Sequence, residues 1–146
     1  MAVTISTAAG GTTVTVTTST GGAESTFQLE AAEDIIAKEA VCQSLTEAGK
    51  CYKADANDSD KMPVIGIAME SATIGNTLDI YHGGKVTDVV KDGDFSVGSI
   101  IYMSTIPGQV TKTPPTVSGT GQQRLGVATG TDDILLDIDL TVMWIP

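Results

Sequence analysis

An all-β fold, a small barrel or sandwich with an extended N-terminal arm, is predicted for this 146-residue chain by three features of its sequence. From Thr26 onward, apolar runs of strand length alternate with clusters of Gly, Pro, Asp and Asn, the spacing of short strands joined by turns. Only one stretch, AAEDIIAKEA, has helix-like composition, and it is too short to form a helix by propensity. Aromatic residues make up 4% of the chain against 41% apolar residues in all, so the interior is packed with Val, Ile, Leu, Ala and Met. A chain of this size buries one such core without a metal or a disulfide.

Residues 1–25 form the first zone, MAVTISTAAGGTTVTVTTSTGGAES, rich in Thr, Ala, Gly and Ser. Val3, Ile5, Val14 and Val16 alternate with polar neighbours, which favours extended chain, and the Gly10-Gly11 and Gly21-Gly22 pairs are flex points. The zone reads as a tail or as an arm that becomes a strand against another surface. Residues 26–146 form the β domain. Its expected strands begin in TFQLEA and continue through AVCQSL, KCYKA, PVIGIAM, LDIYHG, KVTDVV, SIIYMS, QVTK and RLGVAT to ILLDIDLTVMWI. Pairing residues 39–44 with 49–54 would put Cys42 opposite Cys51, where a disulfide is conceivable. Their spacing is not CxxC, and two reduced, partly buried thiols are the expectation.

The halves echo each other. Gly49 precedes Tyr52 and Gly66-Ile67-Ala68 follows, while Gly98 precedes Tyr102 and Gly126-Val127-Ala128 follows, which suggests two related hairpin units. In the last run Leu136, Ile138 and Leu140 share one face and Asp137 and Asp139 the other, the pattern of a half-buried strand. Trp144 would close a core or a subunit seam.

Eighteen acidic against eight basic residues give a formal charge of −10, which repels phosphate backbones and anionic lipid. No run approaches the roughly 20 apolar residues of a membrane-spanning helix. A soluble protein made in a cytoplasm is expected, with neither nucleic acid nor membrane as partner. Catalytic chemistry has little to work with. The sole histidine, His82, sits in YHGGK before an expected Gly-Gly turn, and no serine has a GxSxG elbow. DANDSDK places Asp55, Asn57 and Ser59 at odd calcium-loop positions, but Asp60 replaces the required glycine and Gly66 the terminal glutamate. Asp132-Asp133 and the Asp92/Asp94 pair are the carboxylates available for glycoside chemistry, without an aromatic platform. The expectation is no enzyme, no cofactor and no metal.

In SVGSIIYMSTIPGQVTKTPP, Pro107 and Gly108 suit the two central positions of a type II turn, and Pro114-Pro115 ends the second strand. With MPVIGIAMESA and QQRLGVATGTDDILLDI, this hairpin resembles small β-structured head proteins of tailed bacteriophages, over roughly Lys50 to Asp139. Similar strings occur in capsid decoration, or cement, proteins and at the ends of some tail fibres. The decoration family implies a β-barrel or β-tulip that assembles as a homotrimer on the outer capsid surface of the virion. It also implies an arm, here Val3, Ile5, Val14 and Val16, that adds strands to the major capsid protein. Tyr102, Met103, Ile106 and Trp144 are then the subunit-interface candidates; the competing reading makes Ile100 to Met103 core and the turn a plain loop. A tail-fibre or spike receptor-binding module is the alternative function.

Overall fold

The computed structural model describes residues 25–146. Five strands come first: β1 (Ser25–Ala31), β2 (Ala40–Gln43), β3 (Lys50–Lys53), β4 (Val64–Ala68) and β5 (Thr77–Val86). They pair in the order β1-β3-β2-β4-β5, and β5 returns to β1 from Ser25↔Gly83 to Glu30↔Thr77, closing a small barrel. Closure leaves these strands no lateral edge. The barrel is filled by Ala31, Val41, Cys51, Ala68, Leu78 and Ile80, with half-buried Phe27, Leu29 and Ile65 packed against them. An interior of such small side chains is what a chain poor in aromatics supplies.

Six strands follow: β6 (Ile100–Met103), β7 (Val110–Thr111), β8 (Gly121–Gln122), β9 (Arg124–Ala128), β10 (Ile134–Asp137) and β11 (Met143–Trp144). β10, β9, β6 and β7 extend the sheet in that order from the second half of β5, while β8 and β11 form a separate ribbon. Between the barrel wall and this second sheet lies a larger core. Ala40, Cys42, Val64 and Ile67 meet Ile101, Met103, Leu125, Ile134 and others there. β2 therefore buries Val41 inside the barrel and Ala40 and Cys42 outside it, which explains its unbroken apolar run.

The echo between the halves is real, with a register of its own. Val41 pairs with Gly66 and Cys42 with Val64 across a bulge; 60 residues on, Ile101 pairs with Gly126 and Tyr102 with Arg124 across an equivalent bulge. The Lys38 amide donates to the Ala68 carbonyl at 2.8 Å and the Gly98 amide to the Ala128 carbonyl at 2.9 Å. Lys38 and Gly98 share the left-handed conformation that this corner needs, φ +73° and +84°. The parallel pairing of Ala31 with Cys51 returns as a bridge between Lys91 and Val110. At Gly66 and Gly126 a Cβ would run into the carbonyl oxygens of Tyr81 and Leu135, so both copies keep glycine where a neighbouring backbone passes. Tyr52, on β3, is not the counterpart of Tyr102, on β6; only the glycine triplets of the expected match correspond.

AAEDIIAKEA forms no helix, in keeping with its length: Ile35 bridges Ala72 at the end of the barrel, and the left-handed Lys38 interrupts any helical run. Other expectations are corrected. The glycines of YHGGK lie inside β5 rather than in a turn, and Gly83 pairs with both Ser25 and Asp137 where β5 passes from barrel to second sheet. KVTDVV leaves its strand after Val86. Cys42 faces Tyr52, and Cys51 faces Gln43, one residue off the expected register. The two thiols thus point to opposite sides of the sheet, buried and unbonded. β10 ends at Asp137, because the Asp139 carboxylate accepts the Thr141 amide at 2.9 Å and turns the chain. Leu136 is core as expected, but Leu140 is 62% exposed.

Candidate functional site

The Ile106-Pro107-Gly108-Gln109 turn forms as expected, with the Gln109 amide donating to the Ile106 carbonyl at 3.1 Å and φ +77° at Gly108. It is neither a free display nor a plain loop. The Gly108 carbonyl accepts the Ala40 amide and the Gly108 amide donates to the Ala54 carbonyl, both at 2.8 Å. The buried Glu39 carboxylate packs on its Cα, so that a Cβ there would lie 2.9 Å from it. The hairpin ties the second sheet to the β2–β3 end of the barrel. Met103 is fully buried and so unavailable to another subunit, since Ile101 and Met103 face the core while Ile100 and Tyr102 face away. Tyr102 is half-buried and Ile106 exposed.

Trp144 is also not core. It pairs with Gly121 across the β8–β11 ribbon, its ring lying over that glycine, and keeps 41% of its surface exposed. Met143 and Val117 are exposed as well, and the Gly119 amide, two residues beyond Val117, donates to the Ile145 carbonyl at 2.8 Å. Val117, Met143 and Trp144 are thus exposed apolar side chains on or beside a two-stranded ribbon, with Met143 and Trp144 on opposite faces of their strand.

A second apolar surface lies at one end of the barrel. Phe27, Gln43, Ile65, His82, Ile138 and Leu140 line an open trough of about 350 Å³. Phe27 and Ile65 pack on the barrel interior, so the trough is its mouth. It adjoins a depression beside Leu45 and Pro63 that shares Gln43 and Ile65. The exposed His82 ring stands 5.5 Å from that of Phe27. Sequence reasoning missed this trough, because it assembles residues from distant strands and no local pattern marks them.

The acidic residues act as loop fasteners. Oxygens of Asp88, Asp132 and Asp133 converge within 4.8 Å. Lys85 reaches Asp133 at 3.6 Å, Lys91 reaches Asp132 at 4.0 Å, and Asp133 accepts the Asp88 amide at 3.3 Å. Asp92 accepts the Ser104 hydroxyl at 3.0 Å; Lys91, 2.8 Å from Asp94, holds that carboxyl below its ordinary range. In DANDSDK, Asp55 accepts the Asn57 amide and Asp58 the Asp60 amide, which shapes a polar loop between β3 and β4. Burial pushes the Cys42 thiol up to about 12 and that of Cys51 to about 11, which suppresses the thiolate. The arm positions Val3, Ile5, Val14 and Val16 lie outside the described residues.

No protein-family model and no curated protein sequence matches the chain. Among solved structures, the chain is similar to the head fiber gp8.5 N base of bacteriophage phi29, with a TM-score of 0.51 and 14% identity. The match covers 83% of this chain and 98% of that one. At this identity the likeness establishes a shared fold.

Proposed function

We propose that this protein is a non-enzymatic structural component of a bacteriophage head: a decoration, or cement, protein on the outer capsid surface that stabilises the lattice of the major capsid protein. The observation that carries the reading is the shared fold with the N base of a phage head fiber over nearly that whole chain. The mechanism needs no reacting group. A protein that binds only the assembled lattice stabilises it by mass action, and many copies add their contributions against internal pressure. The N-terminal Val and Ile residues at period two suit strand addition to a capsid-protein edge, with alternate side chains as anchors. Association into a trimer would draw on the exposed apolar residues Trp144 and Ile106 and on half-buried Tyr102. The charge of −10 suits a position away from packaged DNA.

A second reading makes the chain a fibre component that mounts a receptor-binding module, and it is favoured because the similar structure is itself a fiber base. The copy number of this chain in purified particles, measured by quantitative mass spectrometry against the major capsid protein, separates the two. A ratio within a small factor of the capsid protein is expected for a cement. A ratio matching tail or fibre components replaces it with the second reading, and absence from particles overturns both.

A further inference from the structure

The two units bury complementary sets of residues. Inward positions are buried in both: Val41 and Ile101, Ala68 and Ala128, Ile80 and Ile134. Outward positions differ. Ala40, Ile67 and Tyr81 lie side by side across β2, β4 and β5, and Ile100, Val127 and Leu135 lie side by side across β6, β9 and β10 in the same register. Ala40 and Ile67 are fully buried and Tyr81 packs on the shared core, whereas Ile100 and Leu135 keep 43% and 50% of their surface exposed and Val127 is half-buried. The trough shows the reverse. Its Phe27, Gln43, Ile65 and His82 correspond by register to Val86, Met103, Leu125 and Leu136, and all four of those are buried in the shared core. Within the chain, then, the second unit sets its Met103 and Leu125 side on the outward row of the first. The Ser104 and Gly108 carbonyls accept the Ala56 and Ala40 amides along that junction, at 3.1 and 2.8 Å, and the Gln123 side chain holds Val64. Each chain is left with one uncovered apolar surface of either kind, the trough and the row.

We propose that a second copy of this chain docks head to tail: the row of Ile100, Val127 and Leu135 on one copy seats against the trough of the next, repeating between chains the junction that joins the two units within one. Both surfaces are apolar, and covering them removes that area from water. The turn that would reach the partner is already shaped for it. After β2 the Ser44 amide donates to the Lys50 carbonyl at 2.8 Å and Gly49 has φ +77°; after β6 the Ser104 amide donates to the Gln109 carbonyl at 3.0 Å and Gly108 has the same φ. As Gly108 meets Ala40 inside the chain, Gly49 meets the Ile100 backbone of the neighbouring copy. Exposed Leu45 and half-buried Pro63, in the depression beside the trough, are covered by the same contact. The contact is heterologous, so each copy uses both of its surfaces. It belongs to the free protein and does not depend on the capsid reading, which copy number in particles tests separately.

Single added cysteines in the full-length purified protein test it. Chains carrying Ala48→Cys, next to Gly49, and chains carrying Ile100→Cys, both at exposed positions, are mixed and oxidised, one of them tagged so that the possible dimers differ in mass. The native thiols are buried and do not compete. The expected product is the mixed dimer, formed at least about five-fold faster than either dimer of like chains, because a disulfide needs the two Cβ atoms close together. Faster dimers of like chains would mean a two-fold contact and overturn the proposal, as would equal rates or no crosslinking. Association of chains without added cysteines is read by sedimentation over a concentration series. Leu135→Asp, at an exposed position, should raise the dissociation constant at least about ten-fold, since a carboxylate would be buried against an apolar surface, and leave the urea midpoint unchanged. An unchanged constant, or an unsubstituted chain that stays monomeric throughout the series, would overturn the proposal.

Discussion

Gln123 is a buried polar side chain with every bond made. Its Oε1 accepts the Val64 amide at 2.6 Å, and its Nε2 donates to the Val64 and Asp139 carbonyls, each at 2.9 Å. It replaces strand pairing at the start of β4 and fastens the chain leaving β10. Gln123→Leu would leave both Val64 groups without partners in a dry site and is expected to cost about 2–4 kcal/mol, read as a lower urea midpoint at unchanged slope. Nothing in GQQRLG separates this glutamine from its half-buried neighbour Gln122, so its role was not legible. The thiols carry a pH prediction. Their folded values, about 12 for Cys42 and 11 for Cys51, lie above the ordinary 9.0, so the folded state holds its protons longer than the unfolded chain. The contribution is level below pH 9 and is lost as pH rises toward those values, by about 1.4 kcal/mol per pH unit for each thiol. Cys42→Ala with Cys51→Ala should flatten that part of the stability profile between pH 9 and 11; an unchanged slope would contradict the burial argument.

At the scale of elements, turn chemistry was the most legible feature, because Pro and Gly preset dihedrals locally. The Pro107-Gly108 turn was read correctly, while its docking on Glu39, Ala40 and Ala54 was not, since those partners lie more than 50 residues away. Two substitutions separate turn conformation from docking. Gly108 and Gly119 have similar positive φ, +77° and +85°, but a Cβ at Gly108 meets the Glu39 carboxylate and one at Gly119 meets open space. Gly119→Ala should cost about 1 kcal/mol for the left-handed backbone alone, and Gly108→Ala about 1–2 kcal/mol more. Equal losses in thermal or urea unfolding would mean that the turn does not tie the two sheets together. Strand registers were less accessible than turns. A slip of one residue in β2 against β3 decides whether the two cysteines face the same side of the sheet or opposite sides, and the period-two pattern cannot choose where both faces are buried.

At the scale of the whole molecule, the two units share β5, and their joint core draws residues from both sides. Neither can open without exposing the other. A single calorimetric transition is expected, with calorimetric and van't Hoff enthalpies equal; two resolved transitions would show that the units fold separately.

What the sequence determined by itself follows from local physics. Period-two patterning, branched residues and turn chemistry specified an all-β chain, most of its strands and the type II turn, and the repeated Gly-Ile-Ala and Gly-Val-Ala triplets announced two related units. Tertiary structure decided what depends on which strand lies across from which: the closure of β5 on β1, the burial of Met103, and the exposure of Trp144 and Leu140. It also decided that the mouth of the barrel carries an open apolar trough, because burial at a mouth is set by contacts between segments far apart in the chain.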